Sequence, residues 1–165
     1  MIYSYARNEV WQVGDCQCII DNLYSSNEKE IDAIMADVRA VVNEVALLGG
    51  ATMKDLESHD PGREFIYPFL QKQALLQNCP IQGQPFSFSV FDGFPVQMEQ
   101  VKVFPVGDAK EVVLASDGYP HLYSTLYASE CYLADILEKD PLCIRLYKST
   151  KGIQEGNCSL MIVLI

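Results

Sequence analysis

Apolar and polar positions alternate with a period of two near the start of the chain. Residues 2–6 and 10–13 predict the two strands of a hairpin, and 17–21 predict a third strand. Trp11 and Val13 are two apart and are expected on one face. The period then changes. Ile31, Ile34, Met35, Val38, Val41, Val42, Val45 and Leu48 recur at helical spacing and predict a helix over 25–50 whose apolar stripe covers one face of a sheet. Asn27 with Glu30 reads as its capping box, and Gly49-Gly50 ends it. Thr52 with Asp55 opens a short helix, and Asp60-Pro61 opens another, lined by Phe65, Ile66, Phe69, Leu70 and Leu76. Pro68 should kink or split that helix. Residues 78–85 form a loop and 86–90 alternate as a strand; Asp92-Gly93 is a turn. Residues 101–106 and 111–116 predict a hairpin around Gly107-Asp108. Ser129 caps a helix carrying Tyr132, Leu133, Ile136 and Leu137, and Asp140-Pro141 opens the next. Residues 151–157 form a polar loop, and 160–165, LMIVLI, read as an unrelieved apolar strand.

Composition narrows the class. A chain of 165 residues with 49% hydrophobic and 21% charged residues is one globular unit able to bury a sizeable core. The formal charge of -10 opposes nucleic acid and anionic membranes, because no basic patch meets the phosphates. The start, MIYSYARNEVW, lacks a signal-peptide pattern, so a cytoplasmic location is expected. Six cysteines without a CxxC pair, and only His59 and His121 besides, read as reduced thiols and not as a zinc site.

One stretch carries candidate chemistry. Val112–Ala115 is an apolar run that stops at Ser116-Asp117-Gly118, with Pro120 beyond. A strand of that kind delivers the Asp117 carboxylate to the rim of a sheet, where a rigid carboxylate suits a hard cation such as Mg²⁺ or Mn²⁺; turn chemistry is the plainer reading. A second stretch, VWQVGDCQCII over 10–20, places Gly14 and Asp15 in a Val-Gly-Asp turn between two apolar segments.

A Val-Gly-Asp ribbon followed at long range by a Leu-Ala-Ser-Asp-Gly strand end resembles the metal-dependent serine/threonine protein phosphatases of type 2C, the PPM family. Residues 141–158, PLCIRLYKSTKGIQEGNC, resemble that family's C-terminal region. The resemblance implies an α+β fold, an antiparallel β-sandwich flanked by helices, incomplete on its N-terminal side, with a helical insertion at about 26–77 in one domain over 1–165. It implies hydrolysis of a phosphoprotein substrate by two divalent metals, Mg or Mn, that activate a water. It makes Asp117 a metal ligand and places Asp15, Gly14, Ser116 and Gly118 near the site or in its frame.

The family's other acids lack counterparts: its N-terminal acid, the Asp-Gly-His-Gly motif and the C-terminal acid pair. Met1 falls on the first strand, which suggests missing N-terminal structure. Where the family pattern expects Phe-Asp-Asp-Arg-Thr-Tyr-Ile after Asn157-Cys158-Ser159, the chain has LMIVLI. Encoded as TTT GAT GAT CGT ACT TAT ATA, the expected segment loses one T to become TTG ATG ATC GTA CTT ATA, which spells Leu-Met-Ile-Val-Leu-Ile. A one-base frameshift is therefore expected in the gene. Three readings follow: a catalytically defective type 2C relative, a non-catalytic interaction protein on that scaffold holding a protein partner near Asp117, and an unrelated acidic α/β adaptor.

Overall fold

The computed structural model describes residues 1–153 and 160–164. Two antiparallel sheets form the centre. β1 (Ile2–Ser4), β2 (Glu9–Gln12) and β5 (Lys102–Pro105) make a three-stranded sheet in the order β1-β2-β5. β3 (Gln17–Ile20), β4 (Leu23–Ser25), β6 (Glu111–Ala115) and β7 (Leu160–Leu164) make a four-stranded sheet in the order β4-β3-β6-β7. The helices are α1 (Glu30–Leu48), α2 (Met53–Ser58), α3 (Pro61–Lys72) and α4 (Leu126–Lys139). The fold class is mixed α+β.

The alternation within β3 and β6 explains how the layers stack. Cys18, Val112 and Leu114 point to one side and share a buried cluster with Val10 of β2 and Val106. Ile19, Val113 and Ala115 point to the other side and pack with Tyr119, Leu122 and Leu133 of α4. The four-stranded sheet is thus covered on both faces, which is why β6 reads as an unbroken apolar run.

Several strand partners differ from the sequence reading. Residues 2–4 and 9–12 do pair, with Ile2 opposite Trp11. Val13-Gly14-Asp15 does not close a ribbon, however; it carries the chain from one sheet to the other. Likewise β5 and β6 are not a hairpin, since β5 pairs with β2 and β6 with β3 and β7. Both segments find partners distant in sequence, and local turn signals carry no information about that choice. Trp11 faces outward between Ile2 and Val103, while Val10 and Gln12 face in. Residues 86–90 form no strand, only a bridge between Gln77 and Phe88.

The helices hold the larger correction. α1 begins at Glu30 because 23–25 are claimed by β4, and Asn27 is no cap: its amide donates to the Gly14 carbonyl at 2.9 Å. Its buried residues are Ala36, Arg39, Ala40 and Asn43, so the apolar stripe faces away from the protein. α1 packs on α3 and α2, and Ala40 meets Leu56, Leu142 and Ile144. Thr52 and Asp55 do form a capping box, and Asp60 caps α3 with Pro61 behind it. α3 continues through Pro68 to Lys72, its Gly62 and Ile66 buried. α4 is capped by Thr125, and Ser129 is a buried residue inside it. Asp140-Pro141 opens no helix; the Asp140 carboxylate instead accepts the N–H groups of Ile144, Arg145, Leu146 and Tyr147 at 2.8–3.4 Å. Five cysteines among the described residues are free, Cys131 exposed. Among the described residues no helix is long and apolar enough to cross a membrane.

Candidate functional site

β6 ends at Ala115, and the turn that follows puts Asp117 on the surface with Ser116 and Gly118 half-buried. Gln17 pins this turn to β3: its amide donates to the Tyr119 carbonyl at 2.6 Å and its oxygen accepts the Tyr24 hydroxyl at 3.1 Å. Asp15 follows β2, in a turn that Gly14 permits by taking φ +78°. The two turns, far apart in sequence, open onto one cavity of about 610 Å³. Its walls also include Glu28, Lys29, Asp60 and Tyr147.

Lys29 dominates the electrostatics of the Asp15 side. Its ammonium lies 2.6 Å from Asp15 and 3.5 Å from Asp32, and 5.0 Å above the Phe88 ring. Burial pulls the Lys29 pKa down, but the hydrogen bond and charge of Asp15, with help from Asp32, outweigh it and hold the group above its ordinary value. On the Asp117 side stands Tyr147. Burial first, then the charges of Glu28, Cys143 and Asp117, push its hydroxyl up to about 12, so it is a neutral hydrogen-bond donor at physiological pH.

The floor is a buried polar lattice. Arg39, 1% exposed, donates to Asp60 at 2.7 Å and to the carbonyls of Leu142 and Ser149 at 3.0 and 2.8 Å. Asn43 donates to Asp60 at 2.9 Å and accepts the Gly62 N–H at 2.9 Å. Burial raises the Asp60 carboxyl, but the Arg63 N–H, Asn43 and Arg39 overcome it and leave the group below the usual carboxylate range.

The structure therefore brings together Asp15 and Asp117, which the sequence singled out. It adds Lys29, Glu28, Tyr147 and the Arg39–Asp60 pair, none of which the sequence offered as site residues, although Asp60 was legible as a helix cap. The one local signal for Lys29 is its place in Glu28-Lys29-Glu30, a charged run at the mouth of a helix. Asp92 stays in its turn, accepting the Phe94 N–H at 3.0 Å and the Asn78 amide at 2.9 Å.

The donor set does not fit Mg or Mn. Among the described residues no three His, Cys, Asp or Glu side chains gather as ligands. The Asp15 carboxylate is turned to Lys29 and that of Asp60 to Arg39 and Asn43, and a hard cation surrenders its water only to several oxygens. The site can hold a ligand by hydrogen bonds and charge, and among the described residues it shows no cluster of three metal ligands. In comparisons with known proteins, no family model, no curated protein and no solved structure matches the chain.

Proposed function

We propose that the chain is a type 2C-like serine/threonine phosphatase scaffold without a working metal centre. The observation that carries this reading is the shared cavity. The Val-Gly-Asp turn and the Ser-Asp-Gly strand end, the two motifs of the resemblance, are brought side by side by the β3–β6 pairing, in which Gln17 stands opposite Ala115, and open onto the same space. Two antiparallel sheets with a common buried cluster are in keeping with a phosphatase-like sandwich. The loss of activity follows from the ligands. Asp117 is the single carboxylate in the expected place, and Met161, where the family pattern expects an acid, stands opposite Leu114 in the β6–β7 ladder. On this reading residues 160–165 are the out-of-frame product of a one-base deletion, and the apolar strand β7 is its consequence.

Calorimetric titration with Mn²⁺ tests the proposal. The wild-type chain is expected to give no saturable heat. Saturable binding that disappears in Asp117→Asn would mean that other acids complete the centre. Reading the gene in the next frame near the Leu160 codon tests the deletion; absence of an Asp-Asp strand there ends that part of the idea.

A second reading keeps the scaffold and assigns it to protein binding at the same cavity. What favours it is Asp117, exposed at the rim of a recess of about 610 Å³ and so within reach of a partner's donors. A bound protein lost on Asp117→Ala in a pull-down with the purified partner supports it; equal capture by both forms removes it.

A further inference from the structure

The chain contains two Asp-Gly pairs, Asp92-Gly93 and Asp117-Gly118, and no Asn-Gly. In such a pair the backbone nitrogen of glycine can reach the side-chain carboxyl before it, because no Cβ blocks the approach. Both aspartates are exposed, so access does not separate them. Their hydrogen bonds do. Asp92 Oδ1 accepts the Phe94 N–H at 3.0 Å and the Asn78 amide at 2.9 Å, and its Oδ2 accepts the Gln77 amide at 2.6 Å. The Gln77 bond first, then the Phe94 N–H, holds this carboxyl below its usual range and keeps it charged. A charged carboxylate has no hydroxyl to lose, and swinging its carbon onto the Gly93 nitrogen strains three bonds at once. Among the described residues no hydrogen bond or ion pair holds the Asp117 carboxylate. The Gly118 N–H reaches Ser116 Oγ at 3.5 Å, the long limit of a hydrogen bond, so the nitrogen is loosely held too.

We propose that Asp117-Gly118 is a site of spontaneous isoaspartate formation and that the fold protects Asp92-Gly93 from the same change. The Gly118 nitrogen attacks Cγ of Asp117. An N–Cγ bond forms, and the amide proton and the carboxyl hydroxyl leave as water. Water then opens the cyclic imide. Attack at Cγ restores aspartate. Attack at the main-chain carbonyl breaks the original peptide C–N bond, so the chain now runs through the β-carbon and the α-carbon carries the free carboxylate. The water lost is regained, the mass is unchanged, and no oxidant or other reactant is consumed. The product has an extra methylene in its backbone between two fixed points. Ala115 is paired with Gln17 in the β3–β6 ladder, and the Tyr119 carbonyl accepts the Gln17 amide at 2.6 Å. The lengthened turn cannot keep both, and the cavity loses its exposed carboxylate from the rim. The chemistry is the same whatever the cavity binds.

Ageing the full chain for weeks in warm, weakly acidic buffer tests this, with isoaspartate located by peptide mapping and electron-transfer fragmentation. The folded protein is expected to carry severalfold more isoaspartate at 117 than at 92. The same chain aged in urea should carry comparable amounts at both, because unfolding releases Asp92. Gln77→Ala, which removes one of the three bonds to Asp92, should raise the amount at 92 severalfold and leave 117 as in the wild type. The fraction modified at 117 should melt below the fresh protein. No isoaspartate at 117 in the folded chain, or equal amounts at both positions, overturns the proposal. A preference for 117 that persists in urea assigns the difference to sequence neighbours and overturns the role of the fold, as does a Gln77→Ala chain with 92 unchanged. A modified fraction that melts with the fresh protein overturns the effect on the turn.

Discussion

Gly62 lies where α3 crosses α1 with no room for a side chain. A Cβ there would sit 2.4 Å from the Arg39 carbonyl oxygen and 2.9 Å from the Asn43 side-chain oxygen. One of these contacts is backbone and the other belongs to the buried lattice, so neither yields. Gly62→Ala is expected to destabilise the fold by about 1–3 kcal/mol, read as a lower denaturant midpoint with unchanged slope. Tyr147 supplies a prediction in pH. Its folded pKa of about 12 lies above the ordinary tyrosine value of 10.0, so the folded state keeps a proton that the unfolded state gives up. Its contribution is complete below pH 10 and is lost as pH rises toward 12. Tyr147→Phe should flatten the alkaline fall in melting temperature across that window, and one phenol absent from the variant should titrate late in the wild type's ultraviolet spectrum. Glycine and tyrosine at these positions carry no local signal. The constraint on each comes from residues brought close only by folding.

At the scale of elements, local chemistry was legible at two helix starts and misleading at three, Asn27, Ser129 and Asp140, and facing was not legible. Thr52 with Asp55 and Asp60 with Pro61 are self-contained caps, and the helices they open stand where the sequence places them. The inward face of α1 is decided by Arg39 and Asn43, whose partners at Asp60, Leu142 and Ser149 lie beyond the reach of any periodicity. Asp140 shows the same limit. Asp-Pro reads as a helix start, yet its carboxylate instead gathers the N–H groups of four successive residues in a non-helical bend. Asp140→Ala leaves those donors without their acceptor, Ile144 among them being buried, and should cost roughly 2 kcal/mol or more in chemical denaturation. Thr125→Ala, which removes the true cap of α4, should cost about 1 kcal/mol.

At the scale of the whole molecule, β1, β2 and β3 were recognisable from alternation and β6 and β7 as apolar runs, but β4 was not read, 86–90 is no strand, and the division between two sheets was not legible. β2 and β3 are close in sequence and belong to different sheets, whereas β3 and β6 are distant and adjacent. The β3–β6 pairing has a functional result. With Gln17 opposite Ala115 it brings the turns at Asp15 and Asp117 to one cavity, with Lys29 held against the first of them. The pair was visible in the sequence through its motifs; the cation that neutralises half of it was not, because Lys29 acts across a contact between turn and helix. The proposal is of a scaffold whose carboxylates, among the described residues, do not assemble a metal centre. Phosphate release from a phosphoserine peptide in Mn²⁺ tests this most directly, with wild type and Asp117→Asn compared at equal concentration. The account predicts the same background rate for both, with or without the metal. Metal-dependent release by the wild type that Asp117→Asn abolishes would contradict it.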